Sequence, residues 1–198
     1  MTKYIFIVLA LSGCASAPDP APQPAVAPAS KVRNGYTEAD VRFMQGMIGH
    51  HSQALAMSAL VPARTQRQDL AVMAERITLS QESEIAQMQR WLETRGEPAP
   101  AADAHVHAAM GHGELMPGML TEQEMNQLAN ARGVEFERLF LELMIKHHEG
   151  ALQMVKTLYA TPGSGHDPEL YMLASDVDSG QTGEIKRMRA LLAQLPAR

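Results

Sequence analysis

One stretch of this chain occurs twice, and that repeat limits the folds open to it. Phe43-Met44-Gln45-Gly46-Met47-Ile48-Gly49-His50-His51-Ser52-Gln53-Ala54-Leu55-Ala56-Met57 returns 97 positions later as Phe140-Leu141-Glu142-Leu143-Met144-Ile145-Lys146-His147-His148-Glu149-Gly150-Ala151-Leu152-Gln153-Met154. The Phe, Met-Ile, His-His, Ala-Leu and Met positions are identical. Downstream, Leu70, Ala74, Gln81, Glu84, Ile85, Met88 and Leu92 reappear 100 positions on as Leu170, Ala174, Gln181, Glu184, Ile185, Met188 and Leu192. Each half is therefore one two-helix unit, and the change of offset is a loop insertion between its helices. A doubled hairpin predicts an all-α four-helix bundle with approximate two-fold symmetry.

The periodicity supports this. The first helix, expected from Thr37, which caps it together with Asp40, to about Val61 before Pro62, carries Asp40, Phe43, Met47, His50, Ala54, Met57 and Val61 on one stripe. The second, from about Thr65 to Thr94, carries Leu70, Ala74, Ile77, Gln81, Glu84, Met88 and Trp91. A third, about Val134–Tyr159, repeats the first as Glu137, Phe140, Met144, His147, Ala151, Met154 and Leu158. A fourth opens at Asp167-Pro168 and repeats the second as Leu170, Ala174, Val177, Gln181, Glu184, Met188 and Leu191. Gly180 and Gly183 weaken its middle and imply close approach of another backbone or a bound group. Thr121-Glu122-Gln123-Glu124 reads as a capping box opening a short helix.

Between the hairpins, residues 96–119 are rich in Ala, Pro and Gly. A link of that length lets the chain return along the whole bundle before the third helix begins, as in ferritin-like folds.

Midpoints of the four stripes place His50, His147, Gln81, Gln181, Glu84 and Glu184 near the bundle centre, with His51 and His148 100° further round their helices. An unpaired carboxylate on a buried line costs several kcal/mol, so these groups need partners. One solution is a closed His/Glu/Gln network that fixes register and titrates with pH. The other is a metal centre, because neutral imidazole, carboxylate and thioether are what divalent ions and Cu(I) take. Two copies of His-His with two copies of Gln-x-x-Glu favour the metal. Met47 and Met144, one turn from the histidines, join the ligand set, while most of the 14 methionines read as core filler. In the crossover, His105, His107, Met110, His112, Met116 and Met119 stand among glycines and Pro117. They cannot form a helical core stripe, and they read either as a second soft-metal site or as a mobile loop of incidental composition.

At the N-terminus, Lys3, an apolar run from Tyr4 to Leu11 and then Leu11-Ser12-Gly13-Cys14 read as a lipoprotein signal over 1–13, with Cys14, the only cysteine, as the lipidated residue. That run is too short for a permanent span of about 20 residues. Residues 14–33 form an Ala/Pro-rich tether, and 34–198 the bundle domain. A lone cysteine excludes a disulfide within the chain. A net charge of -5 without basic clusters gives no case for nucleic acid.

The motifs Asp40-x-x-Phe43-Met44-x-x-Met47-Ile48-x-His50-His51-x-x-Ala54-x-x-Met57, Met116-Pro117-Gly118-Met119, Phe140-Leu141-x-x-Met144-Ile145-x-His147-His148-x-Gly150-Ala151-x-x-Met154 and the Gln-x-x-Glu-Ile pairs resemble the bacterial domain of unknown function family 305, over about Thr37–Leu195. The resemblance implies a ferritin-like bundle, export as a secreted or lipoprotein form, and periplasmic copper handling. Family members often carry Asp where Glu137 stands here. Leu141 answers Met44, and a thioether in one half alone argues against Met44 as an essential ligand.

The sequence reading is a copper-binding or copper-sequestering lipoprotein, holding Cu(I) or Cu(II), with another divalent metal as a variant. It faces the periplasm and is anchored in the membrane through Cys14. The absence of an acidic residue after Cys14 favours the outer membrane. The alternatives are a ferritin-like dinuclear redox enzyme, which the Gln-x-x-Glu motif disfavours because di-iron bundles use Glu and Glu-x-x-His, and a non-metal structural bundle.

Overall fold

The computed structural model describes residues 32–33, 35–101 and 115–196. Among the described residues, a two-residue antiparallel ribbon, β1 (Val32–Arg33) with β2 (Tyr36–Thr37), leads into six helices: α1 (Glu38–Ser58), α2 (Val61–Arg64), α3 (Gln68–Thr94), α4 (Glu122–Asn130), α5 (Gly133–Ala160) and α6 (Pro168–Leu192). The four long helices make the bundle. α1 packs on α3, α5 on α6, and the two hairpins join through α1 with α5 and α3 with α6.

The expected caps form. Thr37 and Asp40 make a reciprocal capping box at α1, Thr121 and Glu124 another at α4, and Asp167 accepts from Leu170 N at α6, followed by Pro168 in the first turn. α1 stops at Ser58, one turn before the expected Val61. Pro62 sits in the first turn of the separate α2, where its missing N–H costs nothing.

Two apolar clusters fill the bundle, one at each end. The first joins Ala54, Met57 and Val61 to Leu70–Ile77, Phe136–Ile145 and Ile185–Met188. The second joins Phe43–Ile48 to Ile85–Leu92, Ala151–Leu158 and Leu170–Val177. Both clusters contain the start of one helix of each hairpin and the end of the other, so neighbouring helices run antiparallel. The end of α3 and the start of α5 therefore lie at opposite ends, and the crossover spans the full length. Between the clusters lies a layer of buried polar side chains: His50, His51, Gln53, Gln81, His147, His148, Gln181 and Glu184.

Buried carboxylates tie the hairpins together reciprocally. Asp40 of α1 accepts from Gly165 N (2.8 Å) in the α5–α6 loop, where Ser164 also bonds Thr37 (2.9 Å). Its repeat equivalent on α5, Glu137, accepts from Thr65 Oγ1 (2.6 Å) in the α2–α3 connection and pairs with Arg67 (3.5 Å).

The stripes are buried as expected except at Glu84, Met154 and Leu191, which are only half-buried. The expected close approach at Gly180 and Gly183 is absent. A Cβ on Gly180 would meet nothing within 4 Å, and one on Gly183 only the Arg187 side chain. The tight contact is elsewhere. The end of the crossover, residues 115–120, runs as a strap across α5, and a Cβ on Gly150 would fall 2.0 Å from Pro117 O, one on Gly118 2.5 Å from Lys146 O. Gly118 also has φ 77, the left-handed region that favours glycine.

These contacts give opposite expectations for two glycines in helices. Gly180→Ala should raise stability by about 0.5–1 kcal/mol, because alanine fits open space and lowers unfolded-state entropy. Gly150→Ala should lower it by about 1–3 kcal/mol or more, because only backbone stands in the way. Urea midpoints of the two variants against the parent chain check both signs.

Candidate metal centre

The paired histidines sit halfway along α1 and α5, and all four are fully buried. Antiparallel packing of α1 on α5 brings His50 and His147 face to face, with ring centroids 3.8 Å apart and planes inclined 39°. His51 and His148 point away from that pair toward the second helix of their own hairpins. His51 Nε2 lies 2.5 Å from Glu84 Oε2, and His148 Nε2 lies 2.7 Å from Glu184 Oε2.

The expected single cluster therefore resolves into three parts. Glu84 and Glu184 reach the flanking histidines, each within its own hairpin, and not the central pair. The reason is helical geometry: the second histidine of each pair lies 100° round from the first, on the side that faces the hairpin partner. Among the described residues, no group of three or more His, Cys, Asp or Glu side chains stands where it could hold one ion. Gln81 and Gln181 are buried in the same layer. Met47 and Met144 are fully buried in the apolar clusters on opposite sides of it.

His50 Nε2 donates to Pro117 O across 3.0 Å, which leaves Nδ1 as the nitrogen with a free lone pair. The carboxylates of Glu84 and Glu184 likewise accept from Nε2–H of His51 and His148, so that Nδ1 is again free. Nine of the ten buried side-chain polar atoms without a partner among the described residues belong to this layer: Nδ1 of all four histidines, Nε2 of His147, and both amide atoms of Gln81 and Gln181. Leaving such atoms dry costs about 1–3 kcal/mol each, so a bound group or water is needed there.

Electrostatics keep the central rings neutral. Burial, and then unfavourable electrostatics with the neighbouring imidazole of His51, lower the His50 pKa to about 3, against the opposing pull of Pro117 O. His147 is held well below its usual range, first by burial and then by its histidine neighbours. Neutral imidazole is the metal-ligating form, and a proton held off down to low pH does not compete with an ion. The donor set, imidazole lone pairs with N–H groups anchored on a carbonyl or a carboxylate, fits a metal whose ligands are oriented from behind.

Two features of the site, the clamp at Gln53 and the close approach at Gly150, had no place in the sequence reading. Gln53, one turn after His50, clamps the strap by donating to Leu120 O (3.0 Å) and accepting from Leu120 N (2.7 Å). Its repeat equivalent is Gly150, over which the strap passes. The signal was this break in the repeat, a buried amide in one copy and a glycine in the other. Met116 and Met119 lie on the strap, Met119 buried and Met116 half-buried. His105, His107, Met110, His112 and Cys14 lie outside the described residues.

The model for domain of unknown function family 305, DUF305, matches residues 40–192. The chain belongs to that family. A DUF305 fragment from Deinococcus radiodurans is 33% identical, with a TM-score of 0.68 over 85% of this chain and all of that one. A DUF305 protein from Streptomyces coelicolor is 32% identical, with a TM-score of 0.69 over 81% of this chain and 95% of that one. CopM in its Cu(II)-bound form is 28% identical, with a TM-score of 0.64 over 78% of this chain and 95% of CopM. CopM is also known in Cu(I)-bound and Ag-bound forms at 26% identity, with TM-scores of 0.62 and 0.61 over 80% of this chain and 98% of CopM. No match was found among curated proteins.

The neutral pair sets a pH dependence for the metal-free protein. Below about 6.5 the unfolded chain binds protons that folded His50 refuses until about 3, and His147 shifts the same way. Stability should therefore fall on acidification across that window, by up to about 1.4 kcal/mol per pH unit for each histidine. Denaturant titrations between pH 7 and pH 4 on wild type and on His50→Leu with His147→Leu should show a flatter slope in the double variant; equal slopes would refute the assignment.

Proposed function

We propose that this DUF305 protein binds a soft metal ion, copper in the cell, between its two hairpins, with His50 and His147 as the central ligands. The observation that carries the reading is the face-to-face pair of buried, neutral imidazoles with unsatisfied nitrogens. The CopM relatives bind Cu(I), Cu(II) and Ag. Monovalent d10 ions accept two or three donors of the imidazole and thioether kind, which suits a site where no three His or acidic side chains meet among the described residues. Glu84 and Glu184 then serve as orienting groups behind His51 and His148, fixing their tautomer. The role is sequestration or buffering of copper.

The non-metal reading, a bundle held by a His/Glu network, accounts for the two His–Glu pairs. It leaves Nδ1 of His50, both ring nitrogens of His147 and both glutamine amides without partners among the described residues.

The proposed address is the periplasmic face of the envelope, anchored through lipidated Cys14 with the Ala/Pro-rich segment as spacer. The lipobox-like Leu11-Ser12-Gly13-Cys14 supports it. No helix among the described residues is long and apolar enough to cross a membrane.

Ag(I), a redox-inert stand-in for Cu(I), should stabilise the purified chain against unfolding by about 2.7 kcal/mol when present at roughly 100 times its dissociation constant. His50→Ala with His147→Ala should remove most of that gain and at least one equivalent of bound silver. Thermal melts with metal analysis decide it: an undiminished shift and stoichiometry in the double variant would remove the central site from consideration.

A further inference from the structure

The helix face that leads to His50 is cut away. Gly46 and Gly49 precede His50 by four and one residues on α1, and their repeat equivalents on α5 are Leu143 and Lys146. Two glycines in a helix interior cost about 1 kcal/mol each relative to alanine, so a side chain is being kept out. A Cβ on Gly46 would stand 3.1 Å from Met116 Sδ and 3.5 Å from Met154 Cε, and one on Gly49 3.6 Å from Met116 Cε. Met116 comes from the strap and Met154 from α5. The thioether ends of two different elements thus converge on the bare backbone of a third.

Their burial separates them from core methionines. Met57, the repeat equivalent of Met154, is fully buried, whereas Met154 and Met116 are half-exposed. Both line an outer slot of about 340 Å³ together with Phe43, Gly46, Pro117 and Thr157. Pro117 lines the same slot, and its carbonyl accepts from His50 Nε2. The slot therefore holds two sulfurs beside the residue that accepts from the central imidazole.

We propose that Met116 and Met154 form a separate outer thioether site for a monovalent soft ion, Cu(I) or Ag(I), over Gly46, from which the ion passes to His50 and His147. The transfer rests on the reading of the histidine pair as a metal centre; the thioether site itself does not. Thioether sulfur selects soft cations, and a pair on two elements gives the two donors such ions accept. Binding involves no electron transfer and displaces no proton, since a thioether carries none.

The test uses the full chain labelled with ¹³C at the methionine methyls and ¹⁵N at the histidine rings, titrated with Ag(I). Met116→Leu and Met154→Leu assign the two methyls, and leucine conserves the volume. The Met116 and Met154 methyl signals should move at the first sub-stoichiometric additions. Loss of either sulfur should weaken silver binding at the slot by about tenfold or more, and loss of both should slow the response of the His50 and His147 rings. Gly46→Leu, which copies the other half of the repeat, should block the slot with the same result. Rings that respond at the wild-type rate while the two methyls stay still overturn this proposal and leave the histidine centre standing. Methyls that move while the rings stay silent support the outer site and overturn the histidine centre. Silence of both overturns both.

Discussion

A layer of polar side chains closed inside an apolar bundle is the constraint on which the rest of this structure depends. His50, His51, His147, His148, Gln81, Gln181 and Glu184 are removed from water midway along four helices, with hydrophobic clusters above and below. Removing such groups from water is unfavourable unless each finds a partner, so sliding one helix by a turn would set imidazoles and amides against Met and Leu. The layer thereby fixes the register of the four helices. The flanking histidines place one nitrogen each on a glutamate inside their own hairpins and His50 places one on Pro117 O, whereas His147 and the two glutamines have no hydrogen-bond partner among the described residues. The central pair stands where the two hairpins meet, so a bound group or water there would be shared by both.

The two-fold repeat is broken where function would need it broken. Reciprocal ties at the ends, Asp40 to Gly165 and Glu137 to Thr65, respect the symmetry. Along the α1–α5 groove it fails at Gly46 against Leu143, Gly49 against Lys146 and Gln53 against Gly150. The crossover is a single segment, so it can lie over only one side of the pair. One copy of the repeat gained a clamp and a slot for the strap, and the other gave up a side chain to let the strap's backbone pass. Pro117 O is fixed in this way against His50 Nε2, and His147 has no counterpart to it.

Much of the bundle was legible from residues taken singly. Stripes spaced by alternating threes and fours predicted the buried faces, and the capping pairs Thr37 with Asp40 and Thr121 with Glu124 placed two helix starts, because both depend on local chain geometry. The ligand reading was less complete. Periodicity put Glu84 and Glu184 on a buried line without saying which imidazole they would meet, since that depends on how helices rotate against each other. Gly180 and Gly183 were read as the close approach of a backbone or a bound group, and no backbone stands over either, while Gly150, named only within a motif, was not read as the contact with Pro117 that it makes. A glycine in a helix shows that a side chain is missing and says nothing of what faces it.

By itself, then, the sequence determined a doubled helical hairpin with a full-length crossover and a histidine-rich middle, because hydrophobic period, caps and internal repetition are properties of neighbouring residues along one chain. Only the tertiary structure decided that His50 faces His147, that each glutamate belongs to a flanking histidine, and that the strap lies against α1 and α5 with Met116 over Gly46. Those pairings join residues about 30 to 100 positions apart, and their geometry is set by interhelical packing and by where one asymmetric connection can lie on a nearly symmetric body.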